Sequence, residues 1–454
     1  MEMLKNKKIG IIGLGISNLY LANYLLNFTD KIFITEQQPK EKIENLNLLH
    51  PSIICEFGGH SEKILESDII IRSPGISYNH PLLKKIVEKK IPVFTELEIS
   101  YKILIDKLKT SPFIVAITGT NGKTTTTTLT GKIFSSFKKT IVAGNIGIPL
   151  IKFIDEITKD TLLVLEVSSY QLEDIREFKP HIGCILNITE DHLEHHLTME
   201  SYISAKFNIF KNQKKDEFAV LKYEDENIKL GLTKHSINSS ILYFSATKEN
   251  FNGCWLSKDK TTAIIKFNKN YEEIKVRTKL LGLHNYENIL ASVLCAYLAG
   301  IPKEIIEKAV SEFEGVEHRL EIVRIIDGVV YINDSKSTNV DSTLVALKSI
   351  EQPIHLILGG RDKGSPYTPL IPLINQKVKS ILLIGEATET IYNQLKDTNS
   401  KIFRCETLKN AVIKAKEISK SGDVVLLSPA CSSFDQFKNF EHRGKIFKEI
   451  VNTL

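Results

Sequence analysis

The chain has 454 residues, and its 59 Lys and Arg against 54 Asp and Glu give a formal charge of +5, which does not resemble the clustered excess of a dedicated nucleic-acid binder. Its 42% hydrophobic and 25% charged fractions exclude disordered and fibrous classes, and its length predicts about three domains. The six scattered cysteines, and apolar runs far shorter than the roughly 20 residues of a membrane helix, predict a cytoplasmic protein with no membrane insertion.

The first segment alternates short apolar strands with a helix, which is typical of a parallel sheet with crossover helices. The sequence predicts strands over 8–13, 31–35 and 67–71, a helix over 17–26, and a turn over 73–75. The loop after the first strand carries Gly13 and Gly15, as in a dinucleotide-type turn, but Asn18 replaces a third glycine. Glu36 ends the next strand where a ribose ligand is expected, so a nucleotide site and a structural turn both remain open.

The strongest local signal is a glycine-bearing loop between an apolar strand, predicted over 113–118, and a helix. The loop reads Gly119-Thr120-Asn121-Gly122-Lys123-Thr124-Thr125. Such a loop directs backbone N–H groups and a helix N-terminus at a phosphate, while Lys123 can reach the outer phosphates and Thr124 can bind Mg²⁺. The common P-loop has a glycine where Ile117 stands, and the alternative is a strand–turn–helix corner with a solvated lysine.

Acidic and histidine residues follow the next two strands, predicted over 162–167 and 182–188. Glu166, at the first of these strand ends, fits either a Mg²⁺ ligand or a solvated strand end. The histidine-rich run over 189–196 invites a zinc interpretation, but no distant Cys or His pair completes a tetrahedral site, so assistance to Mg²⁺ is favoured. Lys206 lies on a predicted helix and, by residue type, is expected at the surface.

The third segment again places small or polar residues after apolar strands, here predicted over 329–332, 354–358, 381–384 and 424–427. This pattern describes an open α/β sheet, in which ligands bind beyond the carboxyl ends of the strands. The loops over 333–339 and 359–364 offer acids, cations and hydroxyls, and each fits either a substrate-binding loop or a helix cap or turn. Before this segment, the apolar stretch over 289–301 predicts a buried helix.

Together these motifs resemble the Mur ligase family over essentially the whole chain. The matching stretches are 73–76, 119–124, 144–147, 166–169, 187–192, 282–285, 333–339, 358–363 and 428–440. The resemblance implies an α/β protein with the three-domain Mur ligase architecture. Its domains would be a Rossmann-like domain over 1–102 that binds the UDP part of an acceptor, a P-loop-type ATPase domain over 103–315, and a Rossmann-like, amino-acid-binding domain over 316–454.

The resemblance also implies an ATP-dependent amide ligase of cytoplasmic peptidoglycan precursor synthesis. Its expected substrates are UDP-N-acetylmuramoyl-L-alanine and D-glutamate, its expected cofactors are ATP and two Mg²⁺ ions, and a monomer is expected. ATP would phosphorylate the terminal carboxylate of the acceptor, because a carboxylate is a poor electrophile. The amine of D-glutamate would then displace phosphate, with catalysis by positioning and electrostatics.

Residue roles follow from the same resemblance. The expected catalytic residues are Lys123, His192, Lys206 and Lys336, and the expected Mg²⁺ ligands are Thr124, Glu166, His192 and a carbamylated Lys206. ATP is expected to contact residues 119–125 together with Asn285, Asn288, Arg319 and Asp334. The acceptor is expected at Gly15, Ile16, Ser17, Ser73, Gly75 and Asn145, and D-glutamate at Thr338, Lys363, Ser433 and Phe440. Some relatives carry Asp-Thr-Arg near the uracil where this chain has Thr35-Glu36-Gln37.

Three other functions compete with this interpretation. A folylpolyglutamate synthetase shares the ATP loop but is expected to lack the motif over 428–440. A NAD-linked oxidoreductase built on the Gly13 loop leaves the Lys123 loop unexplained. A nucleotide-binding switch without chemistry would be excluded by phosphate release that requires both acceptor and amino acid.

Overall fold

The computed structural model describes residues 2–43, 45–362, 364 and 366–454. The chain forms two compact units, of which the first comprises Met1–Thr278 with Glu287–Phe313 and the second comprises Lys279–Tyr286 with Glu314–Leu454. The first unit contains two β-sheets and the second contains one. Within the described ranges, every helix is too short or too polar to span a lipid bilayer.

The first sheet begins the chain. Its strands are β1 (Ile9–Ile12), β2 (Ile32–Glu36), β3 (Ile54–Phe57), β4 (Ile69–Arg72) and β5 (Val93–Phe94). Its helices are α1 (Ile16–Leu25), α2 (Pro81–Glu88) and α3 (Glu96–Leu108). Neighbouring strands run parallel in the order β3-β2-β1-β4-β5. The strand order reverses between β1 and β4, so the loops after these two strands lie at the switch point where open sheets bind ligands.

The second sheet is the largest. Its strands are β6 (Phe113–Thr118), β7 (Thr140–Gly144), β8 (Leu162–Glu166), β9 (Ile182–Ile185), β10 (Phe218–Lys222), β11 (Ser240–Ser245), β12 (Gly253–Leu256), β13 (Thr262–Phe267) and β14 (Asn270–Lys275). Its helices are α4 (Lys123–Ser135), α5 (Ser169–Leu172), α6 (Leu193–His196), α7 (Met199–Phe207), α8 (Glu226–Lys234), α9 (Leu283–Leu298) and α10 (Lys303–Ser311). The order is β14-β13-β12-β11-β10-β9-β6-β8-β7, and only the β12-β13-β14 meander is antiparallel. The central trio β9-β6-β8 therefore brings three candidate loops to one edge.

The third sheet forms the second unit. Its strands are β15 (Glu321–Ile326), β16 (Val329–Asn333), β17 (Ile354–Gly359), β18 (Val378–Ile384), β19 (Lys401–Glu406) and β20 (Val424–Leu427). Its helices are α11 (Val340–Ser349), α12 (Ile371–Lys377), α13 (Thr388–Leu395), α14 (Leu408–Ile418) and α15 (Phe440–Asn452). The order is β15-β16-β20-β17-β18-β19, with β15 antiparallel to β16 and the other pairs parallel. The loops over 333–339, 359–364 and 428–440 follow the adjacent strands β16, β17 and β20.

Buried branched side chains explain why the parallel strands read as continuous apolar runs. In the first unit one hydrophobic cluster includes residues of both sheets, such as Ile11 of β1 and Leu165 of β8. Parallel strands covered on both faces need apolar residues at every position rather than at alternate ones. The predicted strands over 113–118 and 424–427 coincide with β6 and β20, and the buried helix predicted over 289–301 is confirmed by α9, which ends at Leu298.

Candidate active site

The phosphate loop leaves β6 and turns directly into helix α4. Gly122 has φ 85°, a left-handed conformation that L side chains rarely adopt. A Cβ at Gly122 would also collide with the side chain of Asn288, whose Oδ1 accepts a hydrogen bond from Thr126 Oγ1 at 3.2 Å. Helix α4 begins at Lys123, so the positive end of its dipole faces the loop. The loop therefore has the backbone geometry of an anion-binding site.

Residues that follow β9 hold the phosphate loop in place. Asn187 Oδ1 accepts from Asn121 N at 2.8 Å, and Asn187 Nδ2 donates to Asn121 O at 3.0 Å. Thr120 N donates to Asn187 O at 2.9 Å, while the Thr120 hydroxyl donates to Thr189 O at 3.1 Å. The same hydroxyl lies 3.1 Å from Tyr202 Oη. These bonds fix the loop against the strand end that leads to His192.

Two lysines share one carbonyl oxygen of the loop. Lys123 Nζ donates to Gly119 O at 2.8 Å and to Thr120 O at 2.7 Å, and Lys206 Nζ, on α7, donates to Gly119 O at 2.9 Å. Lys206 is 1% exposed, so its interpretation as a surface lysine is wrong. Burial, and after it the charge of Lys123, holds the pKa of Lys206 well below its usual range, against the opposing effect of Asp191. Such an amine is suited to react in its neutral form.

The predicted metal ligands surround the same loop. Glu166 ends β8, and its Oε1 accepts from Asn145 Nδ2 at 3.0 Å. Its buried Oε2 has no donor among the described residues, so this oxygen is left for another partner. Thr124 is the second residue of α4. Burial lowers the pKa of His192, which favours the neutral imidazole that a metal requires. The Glu166 carboxylate and the Thr124 hydroxyl are oxygen ligands of the kind that Mg²⁺ prefers.

The loops after β1 and β4 approach each other closely. They carry the predicted acceptor residues Gly15, Ile16, Ser17, Ser73 and Gly75. A Cβ at Gly13, where φ is 82°, would lie 2.7 Å from Ser73 Cβ, so the packing there requires glycine. Gly15, Ile16 and Gly75 are exposed. Five of the six predicted acceptor residues therefore lie on two neighbouring loops at one edge of the first sheet.

Glu36 is engaged within the protein. Its Oε2 accepts from Leu14 N at 2.6 Å, and its Oε1 accepts from Gln38 N at 2.8 Å. Both carboxylate oxygens thus hold the backbone of the first loop and of the strand end. This arrangement favours the structural-turn interpretation of the Gly13 loop over a NAD site.

In the second unit, Asp334 ties together the loops after β16 and β20. Its Oδ1 accepts from Leu320 N at 3.2 Å, and its Oδ2 accepts from Ser337 Oγ at 2.5 Å and Ser428 Oγ at 2.8 Å. Burial raises the pKa of Asp334, and the charge of Arg319 opposes this rise. The roles of Arg319 and Asp334 at ATP stay predictions.

A cavity of about 520 Å³ opens beside Lys336 in the second unit. The Lys336 Nζ lies 5.5 Å from the ring centre of Phe440. The other charged or titratable side chains in the wall are Glu317, His318, Lys438, Glu441, His442 and Lys445. Its basic side chains suit a carboxylate-bearing ligand.

Arg443 is a functional candidate that the sequence analysis missed. Its buried guanidinium donates to Ser335 Oγ at 3.0 Å, Ser335 O at 2.9 Å and Cys431 O at 3.2 Å, and burial lowers its pKa to about 10. Ser335 Oγ in turn donates to Phe440 O at 2.8 Å, and Ser433 O accepts from the backbone nearby. A single buried cation thus connects the loops after β16 and β20, which carry the predicted residues Thr338, Ser433 and Phe440.

The remaining predicted residues of the second unit are less informative. Thr338 N donates to Lys336 O at 2.9 Å, within the loop after β16. Asn285 Nδ2 donates to Leu281 O at 2.7 Å. Lys363 lies outside the described residues. The roles of Thr338, Asn285 and Lys363 therefore stay predictions.

The chain is similar to known proteins over 99% of its length. Three family models match: the MurD N-terminal domain over residues 8–82, the Mur ligase middle domain over 117–296, and the Mur ligase glutamate ligase domain over 318–431. The UDP-N-acetylmuramoylalanine--D-glutamate ligases of Koribacter versatilis and Clostridioides difficile are each 42% identical over 99% of this chain, and the matches cover 98% and 99% of those proteins.

Solved structures show the same fold. The UDP-N-acetylmuramate-alanine ligase MurC from Thermotoga maritima has a TM-score of 0.61 at 21% identity, covering 98% of this chain and 99% of that one. MurF ligase from the same organism, in complex with ADP, has a TM-score of 0.59 at 17% identity over 85% of this chain and 90% of that one. The predicted three-domain α/β architecture is confirmed. The chain belongs to the Mur ligase family.

Proposed function

We propose that the chain joins D-glutamate to UDP-N-acetylmuramoyl-L-alanine at the cost of ATP. The observation that carries the proposal is the phosphate loop with Lys123 and Lys206 on one side and an unsatisfied Glu166 oxygen on the next strand. The names of the relatives at 42% identity support the choice of acceptor and amino acid. All six cysteines have free thiols, which agrees with a reaction in the reducing cytoplasm.

The reaction has two steps. A carboxylate oxygen of the acceptor forms a bond to the γ-phosphorus of ATP while the bond from that phosphorus to the β-phosphate bridging oxygen breaks, and ADP leaves. The D-glutamate amine then attacks the acyl carbon, loses a proton to solvent, and expels inorganic phosphate. Negative charge develops on the transferred phosphoryl group, so fixed cations contribute more than covalent chemistry. Lys123 and the N-terminus of α4 supply this positive field.

Thr124 and Glu166 are the proposed holders of one Mg²⁺, and His192 and a carbamylated Lys206 of a second. When bound, Mg²⁺ neutralises charge on the phosphate oxygens. The unsatisfied Oε2 of Glu166 supports the first assignment. Asn145, which donates to the other oxygen of Glu166, orients the carboxylate and remains a proposed acceptor contact.

The proposed carbamylation of Lys206 is supported by the environment of its amine. The ammonium first loses a proton to solvent. The neutral amine then attacks CO₂: an N–C bond forms, the electron pair of one C=O π bond moves to oxygen, and a second proton leaves to solvent, so the side chain ends as an anion. Deprotonation is the costly step for an exposed lysine, and burial beside Lys123 removes much of that cost. An unmodified ammonium carries the wrong charge to bind a metal ion.

The other predicted residues take substrate-binding roles. In ATP binding, Asn285 and Asn288 are assigned to the adenine side and Arg319 and Asp334 to phosphate and ribose. D-glutamate is assigned to Thr338, Lys363, Ser433 and Phe440, and Lys336 to a catalytic role near the reacting groups. The cavity lined by Lys336 and Phe440 supports this assignment. The enzyme is proposed to act as a monomer, since one chain supplies every assigned residue.

A phosphate-release screen tests the proposal. The protein is incubated with ATP, Mg²⁺ and UDP-N-acetylmuramoyl-L-alanine, and each of a set of amino acids is added in turn, with every component omitted once as a control. Phosphate should appear with D-glutamate and only when the acceptor is present. Release with a folate acceptor and L-glutamate instead would favour a folylpolyglutamate synthetase, and no acceptor-dependent release would reject ligation.

A further inference from the structure

We propose that Arg72 is a positioning residue that holds the acceptor loop, residues 73–76, in its binding conformation. It connects this loop to Glu173 and Asp174, which follow helix α5 beside the second sheet of the same unit. The inference rests on the proposed function, because it takes residues 73–76 as acceptor-binding. It assigns a role to a buried charge that neither the phosphate loop nor the metal ligands use.

Arg72 ends strand β4, and its side chain is 0% exposed. Its Nε and Nη2 donate to Asp174 Oδ2 at 2.9 and 2.7 Å, and Nη2 also donates to Glu173 Oε2 at 2.9 Å. A buried cation is tolerated only when it is paired and hydrogen-bonded, and here two carboxylates fulfil that requirement. The guanidinium is therefore fixed from the side of the second sheet.

The remaining guanidinium nitrogen serves the acceptor loop. Arg72 Nη1 donates to Pro74 O at 3.1 Å and also to Ile76 O. Tyr78, just beyond the loop, donates to Asp174 Oδ1 at 2.6 Å, and its ring centre lies 4.8 Å from Arg72 Cζ. The loop backbone is thus bound to the guanidinium that the two carboxylates hold, and the Tyr78 side chain is bound to one of those carboxylates. A lysine, with one nitrogen, lacks the planar fork needed for all these bonds.

The network continues toward the turn that carries His192. Glu173 Oε1 accepts from His195 Nε2 at 3.0 Å and from His196 Nδ1 at 3.1 Å. His196 Nε2 lies 2.9 Å from Ser169 Oγ, so both ring nitrogens of His196 have a hydrogen-bond partner. Both histidines belong to α6, the short helix that begins directly after His192. A continuous set of hydrogen bonds therefore runs from the acceptor loop to this turn.

The Glu173, His195 and His196 side chains also have the spacing of metal ligands. The structure favours the positioning role, because the permanent cation Arg72 contacts the other oxygen of Glu173 and already balances its charge. A second cation at the same carboxylate would have to overcome that repulsion. The cluster is thus explained as the far end of the Arg72 network.

The test measures acceptor binding without catalysis. UDP-N-acetylmuramoyl-L-alanine is titrated calorimetrically into wild type, Arg72→Met and Arg72→Lys in the absence of ATP, and the KM for ATP is measured separately. Because displacement of a binding loop by about 1 Å commonly costs one to two orders of magnitude, both variants should bind the acceptor at least about tenfold more weakly. The KM for ATP should change less than about twofold.

Arg176→Met is the matched control. Arg176 belongs to the same stretch of chain as Glu173 and Asp174. It donates to Val93 O at 3.2 Å, and its Cζ lies 4.5 Å from the Phe94 ring centre, whereas within the described part of the chain it forms no hydrogen bond to residues 73–76. This variant should keep wild-type acceptor affinity. Equal weakening by Arg176→Met and Arg72→Met would reduce Arg72 to a general packing role and overturn the inference.

Tyr78→Phe is a second variant that keeps the test decisive if the Arg72 variants do not fold. Tyr78 is 36% exposed, so loss of its hydroxyl should leave the fold intact while removing the 2.6 Å bond to Asp174. Acceptor affinity should fall about threefold or more with an unchanged melting temperature. If Arg72→Met folds, the inference is refuted when both Arg72→Met and Tyr78→Phe bind the acceptor with wild-type affinity. If Arg72→Met does not fold, wild-type affinity in Tyr78→Phe alone refutes the inference. Failure of the wild type to bind the acceptor would instead reject the proposed function.

Discussion

Replacing Lys206 by alanine should abolish most of the turnover while leaving the fold intact. Lys206 Nζ and Lys123 Nζ donate to the same oxygen, Gly119 O, at 2.9 and 2.8 Å, so the two nitrogens lie no more than about 5.7 Å apart. At an effective dielectric of 20, a charged Lys206 at that distance would be repelled by Lys123 by about 3 kcal/mol, which favours the neutral amine, whereas a carbamate would be attracted to Lys123. Since loss even of an outer partner of a metal costs about 10- to 100-fold, Lys206→Ala should lose at least about 100-fold in turnover.

The assay uses chemical rescue. Acetate or formate added to Lys206→Ala should restore part of the phosphate release by placing a carboxylate in the vacated space. Lys123→Ala is the matched control, because it removes a cation from the same loop and should not respond to added acid. In wild type supplied with ¹³C-bicarbonate, a carbamate carbon signal should appear and should be missing in Lys206→Ala.

Two results would refute this reasoning. Full turnover of Lys206→Ala would mean that the buried amine contributes only to packing. Equal rescue of Lys206→Ala and Lys123→Ala by acids would mean that the anion acts elsewhere in the protein.

Three further predictions concern other parts of the molecule. Lys123→Ala should lower turnover by several orders of magnitude with an unchanged melting curve, because the lost cation faces the developing phosphoryl charge. Lys363→Ala should raise the KM for D-glutamate far more than the KM for ATP in steady-state assays. Burial raises the pKa of Glu173, but hydrogen bonds from His195 and His196 and the charge of Arg72 outweigh it and lower the pKa to about 2. Its stabilising effect should therefore be present above about pH 4.5 and be lost as the pH falls toward 2, which melting temperatures of wild type and Glu173→Gln will show.

The loop motifs were predictable because their geometry is encoded locally. Gly122 supplies the left-handed turn into α4, and the apolar run before it can only be a buried strand. The same reasoning located Glu166, which ends β8, and Asp334, which directly follows β16, because parallel strands present their carboxyl ends at one edge. Strand, glycine turn and helix follow one another within a few residues, so no long-range information is needed.

The antiparallel strands escaped prediction for a physical reason. β14 carries Tyr271, Glu272 and Glu273 among mostly exposed positions, and β15 has the partly buried, alternating pattern of an edge strand. Edge strands lack the continuous apolar run that marks a central parallel strand, because one side of each faces solvent. Sequence periodicity missed the edge strands β14 and β15 for this reason, and it also missed β10 and β11, which are parallel strands inside the second sheet.

Long-range pairs were equally invisible in the sequence. Lys206 looks like an ordinary helix lysine until α7 is packed against the phosphate loop, where it becomes buried. Arg72 is separated from Asp174 by 102 positions, although an arginine that ends a fully apolar strand is a signal that a buried ion pair is required. Arg443 gave no comparable signal, because its acceptors are mainly backbone carbonyls.

The most direct test of the central claim follows one oxygen atom. UDP-N-acetylmuramoyl-L-alanine labelled with ¹⁸O in its terminal carboxylate is incubated with the protein, ATP, Mg²⁺ and D-glutamate, and the released phosphate is analysed by mass spectrometry. If ATP phosphorylates that carboxylate, one ¹⁸O atom is carried into each inorganic phosphate as the amide forms. Phosphate that contains no ¹⁸O, released while the amide product accumulates, would contradict the acyl-phosphate route assigned to this site.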